Sequence, residues 1–213
     1  MCGRYSIGNE IQSLAQEYNL QPPGDFHATY NAAPGQDLPV VTNQRTKVFS
    51  LVNWGIVPFW AKDSSKRLIN ARAETVAEKA TFKKAFQRRR CLVPADGYYE
   101  WMKGPDGKTP YRIFRKDAPA FFLAGIWDTN DEGKAYFAII TSEASPSIAH
   151  IHDRMPVILE DDAVVFWLSD SEDFAGLQDI LRPFDDQQLQ AYSVSKAVNR
   201  VSNNLPSLRE PLS

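Results

Sequence analysis

Apolar residues near the start of the chain recur at the spacing of an α-helix. Ile11, Leu14, Ala15 and Tyr18 are three or four residues apart along one helical face, and Asn9 precedes them as a candidate N-cap. Similar patterns predict further helices at Glu74–Arg88 (in two pieces), Ser145–His150 and Asp173–Leu181.

Short apolar runs bounded by turn residues predict that the rest of the chain is rich in β-strands. The expected strands are two within Val40–Val57 around a turn at Asn43–Thr46, then Cys91–Val93, Tyr111–Phe114, Phe121–Ile126, Ala135–Thr141, Pro156–Leu159, Val164–Leu168 and Gln190–Val194. Pro105–Gly107 and Asn130–Gly133 are typical hairpin turns. Because strands and helices do not alternate regularly, we expect an α+β fold with a curled, barrel-like sheet, largely antiparallel or mixed, and peripheral helices.

Composition limits the class of protein. The chain has 213 residues, 43% hydrophobic and 23% charged, which is typical of a single globular domain over residues 1–213. The polar end, from about residue 196 to 213, is expected to pack loosely. The apolar runs are too short to cross a membrane, and the first residues lack an apolar signal region. We therefore expect a cytoplasmic protein without a membrane partner, and a monomer.

Charge and cysteine content exclude further classes. A formal net charge of −2 excludes a protein that coats nucleic acid through overall positive charge, but it leaves room for a local basic groove. The chain has only 2 cysteines, Cys2 and Cys91, and no C-x-x-C pair. We therefore expect no disulfide scaffold, no metal site and no cofactor.

The reactivity of Cys2 depends on its position in the chain. Removal of Met1, which is general before a small second residue, would leave Cys2 with a free α-amine beside its thiol. Such a 1,2-aminothiol forms an imine with an aldehyde, and the thiol can then close a thiazolidine ring. Reference pKa values of ~8 for the amine and ~8.5 for the thiol keep both nucleophiles accessible near neutral pH. By position alone, a cysteine here is more typical of a frayed terminus.

Other segments have two interpretations each. The aromatic segment Trp54–Trp60 is either a core strand ending in a turn or a shelf on which bases stack. Asn70 and Arg72 are either an N-cap and a surface ion-pair partner or residues of a site. Glu100 lies between aromatic residues, either paired with a base or with a raised pKa suited to proton transfer. His152 taken alone is more often structural than catalytic.

The order of these motifs along the chain strengthens the functional interpretations. The motifs are, in order, Met1–Tyr5, Asn31–Pro34, Trp54–Trp60, Asn70–Glu74, Arg90–Pro94, Gly97–Trp101 and His152–Pro156. This ordered set strongly resembles the SRAP family, the SOS response-associated peptidase-like proteins, from Cys2 to about Leu159 and more loosely to Val194. The resemblance implies a sensor that links covalently to ring-opened abasic sites in single-stranded DNA and shields the lesion.

The resemblance also implies roles for individual residues. Cys2 matches the crosslinking cysteine, and Asn70 matches the asparagine that orients the N-terminal residue and the lesion. Glu100 and His152 match the active-site glutamate and histidine. His152 is suited to open the sugar ring and Glu100 to transfer protons at the imine. The matches to the DNA-binding groove are Arg4, Pro34, Trp54, Trp60, Arg72 and Thr141.

Alternatives stay open on the sequence. The activity expected is a lyase-like DNA–protein crosslinking reaction, with self-reversal and removal of the protein's own Met1 as further steps. A cysteine-type peptidase that uses Cys2, Glu100 and His152 would instead turn over peptides and leave no stable adduct. A non-covalent binder of single-stranded DNA would keep its function without Cys2. Basic residues at Lys83, Lys84 and Arg88–Arg90 either extend the groove or form a solvated helix face.

Overall fold

A computed structural model describes residues 2–22, 24, 26–58 and 66–212. The helices in this part of the chain are α1 (Ile11–Glu17), α2 (Ala80–Arg88), α3 (Pro146–Ala149), α4 (Asp161–Leu168) and α5 (Phe174–Asp179). The strands are β1 (Tyr5–Ile7), β2 (Thr29–Ala32), β3 (Asp37–Thr42), β4 (Arg45–Trp54), β5 (Asn70–Arg72), β6 (Arg90–Ala95), β7 (Gly97–Gly104), β8 (Gly107–Arg115), β9 (Phe121–Thr129), β10 (Ala135–Glu143), β11 (Arg154–Pro156) and β12 (Leu189–Ser193). None of these helices is long and apolar enough to cross a membrane.

The larger sheet closes on itself. β3 pairs antiparallel with β4 and β6, β6 pairs with β9, and β9 pairs with β10. β10 returns to β4 in parallel and so completes a ring, while its far half also pairs with β5 and β11. Closure removes exposed strand edges and gives the barrel a continuous apolar interior. The predicted α+β fold with a curled, largely antiparallel sheet is confirmed.

The smaller sheet holds the N-terminus. Its strand order is β12-β8-β7-β1-β2, with antiparallel neighbours throughout. β1 lies between β7 and β2, and Tyr5 is opposite Tyr98 of β7. The ring of Tyr5 packs 5.1 Å from that of Trp54, which stacks on Phe137 of β10 at 6.0 Å. These aromatic contacts fix the first strand against the barrel, and thereby also the position of Cys2.

Several local predictions were wrong, among them the strand at Pro156–Leu159, because β11 ends at Pro156. Val164–Leu168 is the second half of α4, because Ala163, Val164, Trp167 and Leu168 are buried at helical spacing. A short apolar run cannot distinguish a strand from a buried helix by itself. In Glu74–Arg88, only Ala80–Arg88 is helical, and turns occupy the residues before it. α1 begins as predicted at Ile11, but Glu10 rather than Asn9 occupies its N-cap position.

The end of the chain also differs from the expectation of a loose tail. The side-chain amide of Asn31 donates to the backbone carbonyls of Val198, Arg200 and Asn203. Leu208 is buried, and the backbone N–H of Leu212 donates to the carbonyl of Ser193. The tail satisfies buried polar groups of the N-terminal half, so it packs as part of the domain.

The basic segment Arg88–Arg90 does not act as one unit. Arg88 is exposed, and Arg89 pairs with Asp128. Arg90 is 1% exposed, so neither groove nor solvated face describes it. Its guanidinium donates to the backbone carbonyls of Phe86, Gln87, Trp167 and Ser169. Arg90 therefore joins the end of α2 to the end of α4 across the barrel wall.

We expect Arg90→Met to lower the free energy of unfolding by about 3 kcal/mol or more, because the buried carbonyls lose their donors. Arg88→Met is the matched control: Arg88 pairs with Glu172 between two exposed side chains, and its loss should cost ~0.5 kcal/mol or less. Urea unfolding of the two variants measures the difference. Equal stabilities would contradict the structural role of Arg90.

Candidate active site

Cys2 is fully buried at the entry to β1, within an apolar cluster that includes Tyr5, Trp54 and Tyr98. Its thiol is free of any disulfide. Burial raises the pKa of the thiol well above its ordinary value, and the negative charge of Glu100 raises it further, against smaller opposing effects. A thiol in this environment stays protonated near neutral pH, so its use as a nucleophile requires a nearby base.

Glu100 supplies a carboxyl group beside Cys2. It lies on β7, opposite Tyr111 of β8, and is 3% exposed. Burial raises its pKa from 4.5 to about 7, although the positive charge of the N-terminus lowers it in part. A carboxyl with a pKa near neutrality can both accept and return a proton at physiological pH.

His152 lies between α3 and β11, with its Nε2 3.9 Å from Oε2 of Glu100. Its Nδ1 accepts a hydrogen bond of 3.0 Å from the backbone N–H of Arg154. Burial lowers the pKa of His152, which favours the neutral ring. Because Nδ1 is an acceptor in that state, the proton of the neutral ring is assigned to Nε2, on the side of Glu100.

A second contact of His152 suits the charged state. Oδ1 of the exposed Asp153 lies 2.9 Å from Nδ1 of His152. When the ring gains a proton, Nδ1–H can donate to Asp153 instead of accepting from Arg154. Both protonation states therefore have a hydrogen-bond arrangement within reach, which suits a group that gives and takes protons.

Asn70 is the candidate site residue on the barrel side. It lies on β5 opposite Ile139 of β10, and its neighbour Ile69 accepts a hydrogen bond from Nε1 of Trp54. Both polar atoms of the Asn70 side chain are buried without a hydrogen-bond partner among the described residues, as are the hydroxyls of Tyr5 and Tyr98. Buried polar groups without partners are costly, and at a site they are typical of groups that bind a ligand.

Arg154, two residues after His152, forms an ion pair with Glu74. Both guanidinium termini of Arg154 donate to the carboxylate of Glu74, at 2.7 and 2.9 Å, and Arg154 also donates to the backbone carbonyl of Thr141. Arg154 thus ties the loop of His152 to the strand end that carries Arg72. Arg154 was not predicted as a site residue from the sequence. The available signal was its position two residues after His152 in the same motif.

The predicted DNA-contacting residues fall into different environments. Arg72 is exposed at the end of β5, and Pro34 is exposed in the turn before β3. Trp54 is fully buried, so its ring has no free face on which a base could stack, and that prediction is corrected. Thr141 is also fully buried. Trp60 lies outside the described residues.

Arg4 points inward. Its Nη1 donates to Oδ1 of Asn31 and to the carbonyl of Val198, both at 2.8 Å. The guanidinium also lies over the ring of Trp101, 5.9 Å from its centre. These contacts favour a role in which Arg4 holds the N-terminal strand, and its expected contact with phosphate stays a prediction.

The structure therefore brings Cys2, Glu100 and His152 together, and Asn70 lies on β5, which pairs with the barrel strand β10. Within the described ranges, no group of three or more His, Cys, Asp or Glu side chains has an arrangement that could hold a metal ion. These residues offer a nucleophile, two groups able to transfer protons, and an amide that has no hydrogen-bond partner among the described residues.

Comparisons with known proteins found a matching family and similar proteins over nearly the whole chain. The model of the family described as SOS response associated peptidase (SRAP) matches residues 1–201. The chain is 38% identical to the abasic site processing protein YoqW of Bacillus subtilis, covering 99% of each chain, and 32% identical to the abasic site processing protein YedK of Escherichia coli, covering 100% of each. A crystal structure of a protein from Bacteroides thetaiotaomicron superposes with a TM-score of 0.89 at 29% identity, over 100% of both chains.

Proposed function

Because the chain belongs to the SOS response associated peptidase family, we propose that it captures abasic sites in single-stranded DNA through a covalent bond to Cys2. The observation that carries this proposal is the buried Cys2 thiol beside a carboxyl with a pKa of about 7, with an imidazole 3.9 Å from that carboxyl. Relatives with the name abasic site processing protein, which align over nearly the whole chain, support the lesion as the target.

The first step is opening of the sugar. An abasic deoxyribose is mostly a closed hemiacetal, which has no free aldehyde to react. Ring opening needs a proton removed from the hemiacetal hydroxyl and a proton given to the ring oxygen. His152 is the group proposed for this transfer, because its neutral ring carries a proton on one nitrogen and can regain one on the other.

The second step forms the bonds to Cys2. Removal of Met1 exposes the α-amine of Cys2, whose nitrogen attacks the aldehyde carbon, and Glu100 takes the proton that the amine loses. Glu100 returns this proton to the oxygen of the former aldehyde. The resulting carbinolamine loses its hydroxyl group and the proton on nitrogen as one water, which gives the imine. The sulfur then attacks the imine carbon, its proton passes by way of Glu100 to the nitrogen, and a thiazolidine results. The whole reaction consumes one aldehyde and one aminothiol and releases one water.

Burial of Cys2 serves this sequence of steps. A thiol with a raised pKa stays protonated while the amine reacts first, and it loses its proton only as the carbon–sulfur bond forms. The site then holds the amine, the thiol and the aldehyde together, which raises their effective concentration above that in solution. Asn70, whose amide lacks a partner in the described structure, is the group proposed to orient the amine and the sugar.

Arg72 is proposed to hold a phosphate next to the lesion, since it is exposed at the edge of the site. We expect Arg72→Ala to weaken binding of single-stranded DNA by about 5- to 10-fold and to reduce the slope of log affinity against log salt by roughly 0.7. Titration of a fluorescent oligonucleotide at several salt concentrations measures both values. Arg45→Ala, at an exposed position in the β3–β4 hairpin, is the control and should change neither. An unchanged slope for Arg72→Ala would leave Arg72 without a phosphate contact.

Intact mass measurement tests the proposed function. The purified protein should lack Met1, and incubation with an oligonucleotide that contains one abasic site should give a species equal to the two masses less one water. The same oligonucleotide with an intact base should give no such species. Absence of the adduct, together with cleavage of peptides from a library, would favour the cysteine peptidase instead.

A further inference from the structure

The tail of the chain reaches a group of charges next to β1, of which Asp96 and Arg112 are buried and Glu10 and Arg209 are half-buried. Nη1 of Arg209 lies 2.8 Å from Oδ2 of Asp96 and 3.0 Å from Oε1 of Glu10. Its guanidinium also covers the ring of Tyr30, 4.8 Å from the centre. Arg209 therefore connects the last turn of the chain to the segment that follows β1.

Asp96 transmits this contact to β1. Its carboxylate, 3% exposed, accepts hydrogen bonds from the Ser6 hydroxyl and the Gly8 backbone N–H, the residues on either side of the last residue of β1. It also accepts from Arg112 at 2.9 Å. Ser6 is four residues from Cys2 on the same extended segment. The position of this carboxylate therefore fixes the strand that carries Cys2.

A second set of bonds ties the same two parts of the chain closer to Cys2. The carbonyl of Val198 accepts from both Arg4 and Asn31, and Arg4 is two residues from Cys2. The hydroxyl of Tyr99 on β7 donates to the carbonyl of Tyr30. The tail thus contacts β1 at its start, through Arg4, and at its end, through Asp96.

The charges in this cluster balance only when Arg209 is present. Asp96 and Glu10 supply two negative charges, and Arg112 and Arg209 supply two positive charges. Removal of Arg209 takes one of two arginine partners from the buried carboxylate of Asp96, and losing a partner of a buried charge is unfavourable in a medium of low dielectric constant. We expect the carboxylate of Asp96 to shift, and Ser6 and Gly8, which donate to it, to shift with it.

We infer that Arg209 is a positioning residue for Cys2: it neutralises Asp96, and Asp96 holds β1 in the register that places the Cys2 amine and thiol beside Glu100. This inference rests on the proposed function.

Three variants test the inference. Arg209→Met removes the charge and keeps much of the length, Arg209→Lys keeps the charge, and Arg182→Met removes an exposed arginine that pairs with Glu160 elsewhere. For each we would measure the first-order crosslinking rate at saturating abasic DNA, the affinity for an unreactive abasic analogue, and the rates at which iodoacetamide alkylates Cys2 and Cys91. Cys91 is an internal control, because it is buried in the barrel away from the tail.

For Arg209→Met we expect a rate at saturation about tenfold lower, an affinity for the analogue within twofold of the parent protein, and faster alkylation of Cys2 but not of Cys91. Arg209→Lys should recover most of the rate, and Arg182→Met should match the parent. An unchanged rate and unchanged alkylation of Cys2 would overturn the inference. So would equal increases at Cys2 and Cys91, because they would indicate general destabilisation.

The two proposals fail in different ways. If the parent protein forms no adduct with abasic DNA, the proposed function is wrong. Alkylation then still decides the positioning role: selective exposure of Cys2 in Arg209→Met supports it, and its absence overturns it. If the parent forms the adduct and Arg209→Met does so at the same rate, only the positioning role is wrong.

Discussion

Cys2→Ala is expected to abolish the heat-stable adduct with abasic single-stranded DNA. An N-terminal alanine keeps the amine but lacks sulfur, so the reaction stops at an imine, which hydrolyses on heating. A denaturing gel after heating measures the yield of adduct. If the thiol closes the ring, this yield should fall at least about 100-fold, which is typical of the loss of a catalytic nucleophile.

Two controls sharpen this result. Cys91→Ala removes the other free cysteine, which lies on β6 in the barrel, and should leave the adduct unchanged. Reduction with borohydride during the reaction should convert the imine of Cys2→Ala into a stable amine and so restore a covalent product. Equal heat-stable adduct from Cys2→Ala and the parent protein, without reduction, would rule out the thiazolidine.

Glu100→Gln is expected to slow crosslinking by about 100-fold, the usual contribution of a positioned acid–base group. The amide keeps the shape of the carboxyl but cannot accept a proton. In the parent protein the carboxylate is the active form, so the rate should rise with pH through about 7, where the pKa of the buried Glu100 lies. Glu100→Gln should lose this inflection. Rapid quenching of the reaction between pH 5.5 and 8.5 measures both effects.

Glu100→Gln should lower the crosslinking rate but raise the stability of the folded protein at pH 8. Burial raises the pKa of Glu100 from 4.5 to about 7, so the folded state binds its proton more tightly than the unfolded state. The stabilisation from the neutral carboxyl is complete below the unfolded pKa and is lost as the pH rises through the folded pKa. Glu100→Gln avoids this loss and should melt at a higher temperature than the parent at pH 8, with the difference shrinking toward pH 5. An inactive variant that is also less stable at pH 8 would indicate a structural role.

His152 is separable from Glu100 by substrate. If His152 opens the sugar ring, His152→Ala should be slow on a natural abasic site and nearly normal on an open-chain aldehyde held in the same DNA. Glu100→Gln should be slow on both, because both substrates pass through the imine. Equal slowing of the two variants on the open-chain aldehyde would remove ring opening from the role of His152.

The sequence was sufficient for the α+β class with a curled sheet and for much of the strand pattern, because apolar runs such as Phe121–Ile126 and Ala135–Thr141 lie between clear turns. It failed at Val164–Leu168, where a buried helix and a strand have the same short apolar run. Ring closure through β10 was not predictable, since it depends on parallel pairing between strands far apart in the chain.

At the candidate site, the motifs identified Cys2, Glu100 and His152. They did not predict the burial that sets the pKa values of these residues. The pKa of Glu100 depends on burial by strands that only the fold brings together. Trp54 was assigned to a DNA-stacking surface because an aromatic residue beside glycine has the same sequence appearance in a core and on a surface. Arg209 gave no signal, because its partners, Asp96 and Glu10, are separated from it by more than 100 residues.

These long separations also set an order of assembly. The hydrogen bond from Arg4 to the carbonyl of Val198 joins residues 194 positions apart, and the one from Arg209 to Glu10 joins residues 199 apart. A ribosome delivers the N-terminus first, so the residue proposed to react with DNA is made long before Val198 and Arg209, which contribute to its support. Contacts of such high contact order form late, after the loop entropy between them has been lost. The barrel and β7 can therefore position β1 first, and the bonds from the tail to Arg4 and Asp96 add the last supports of the reactive end.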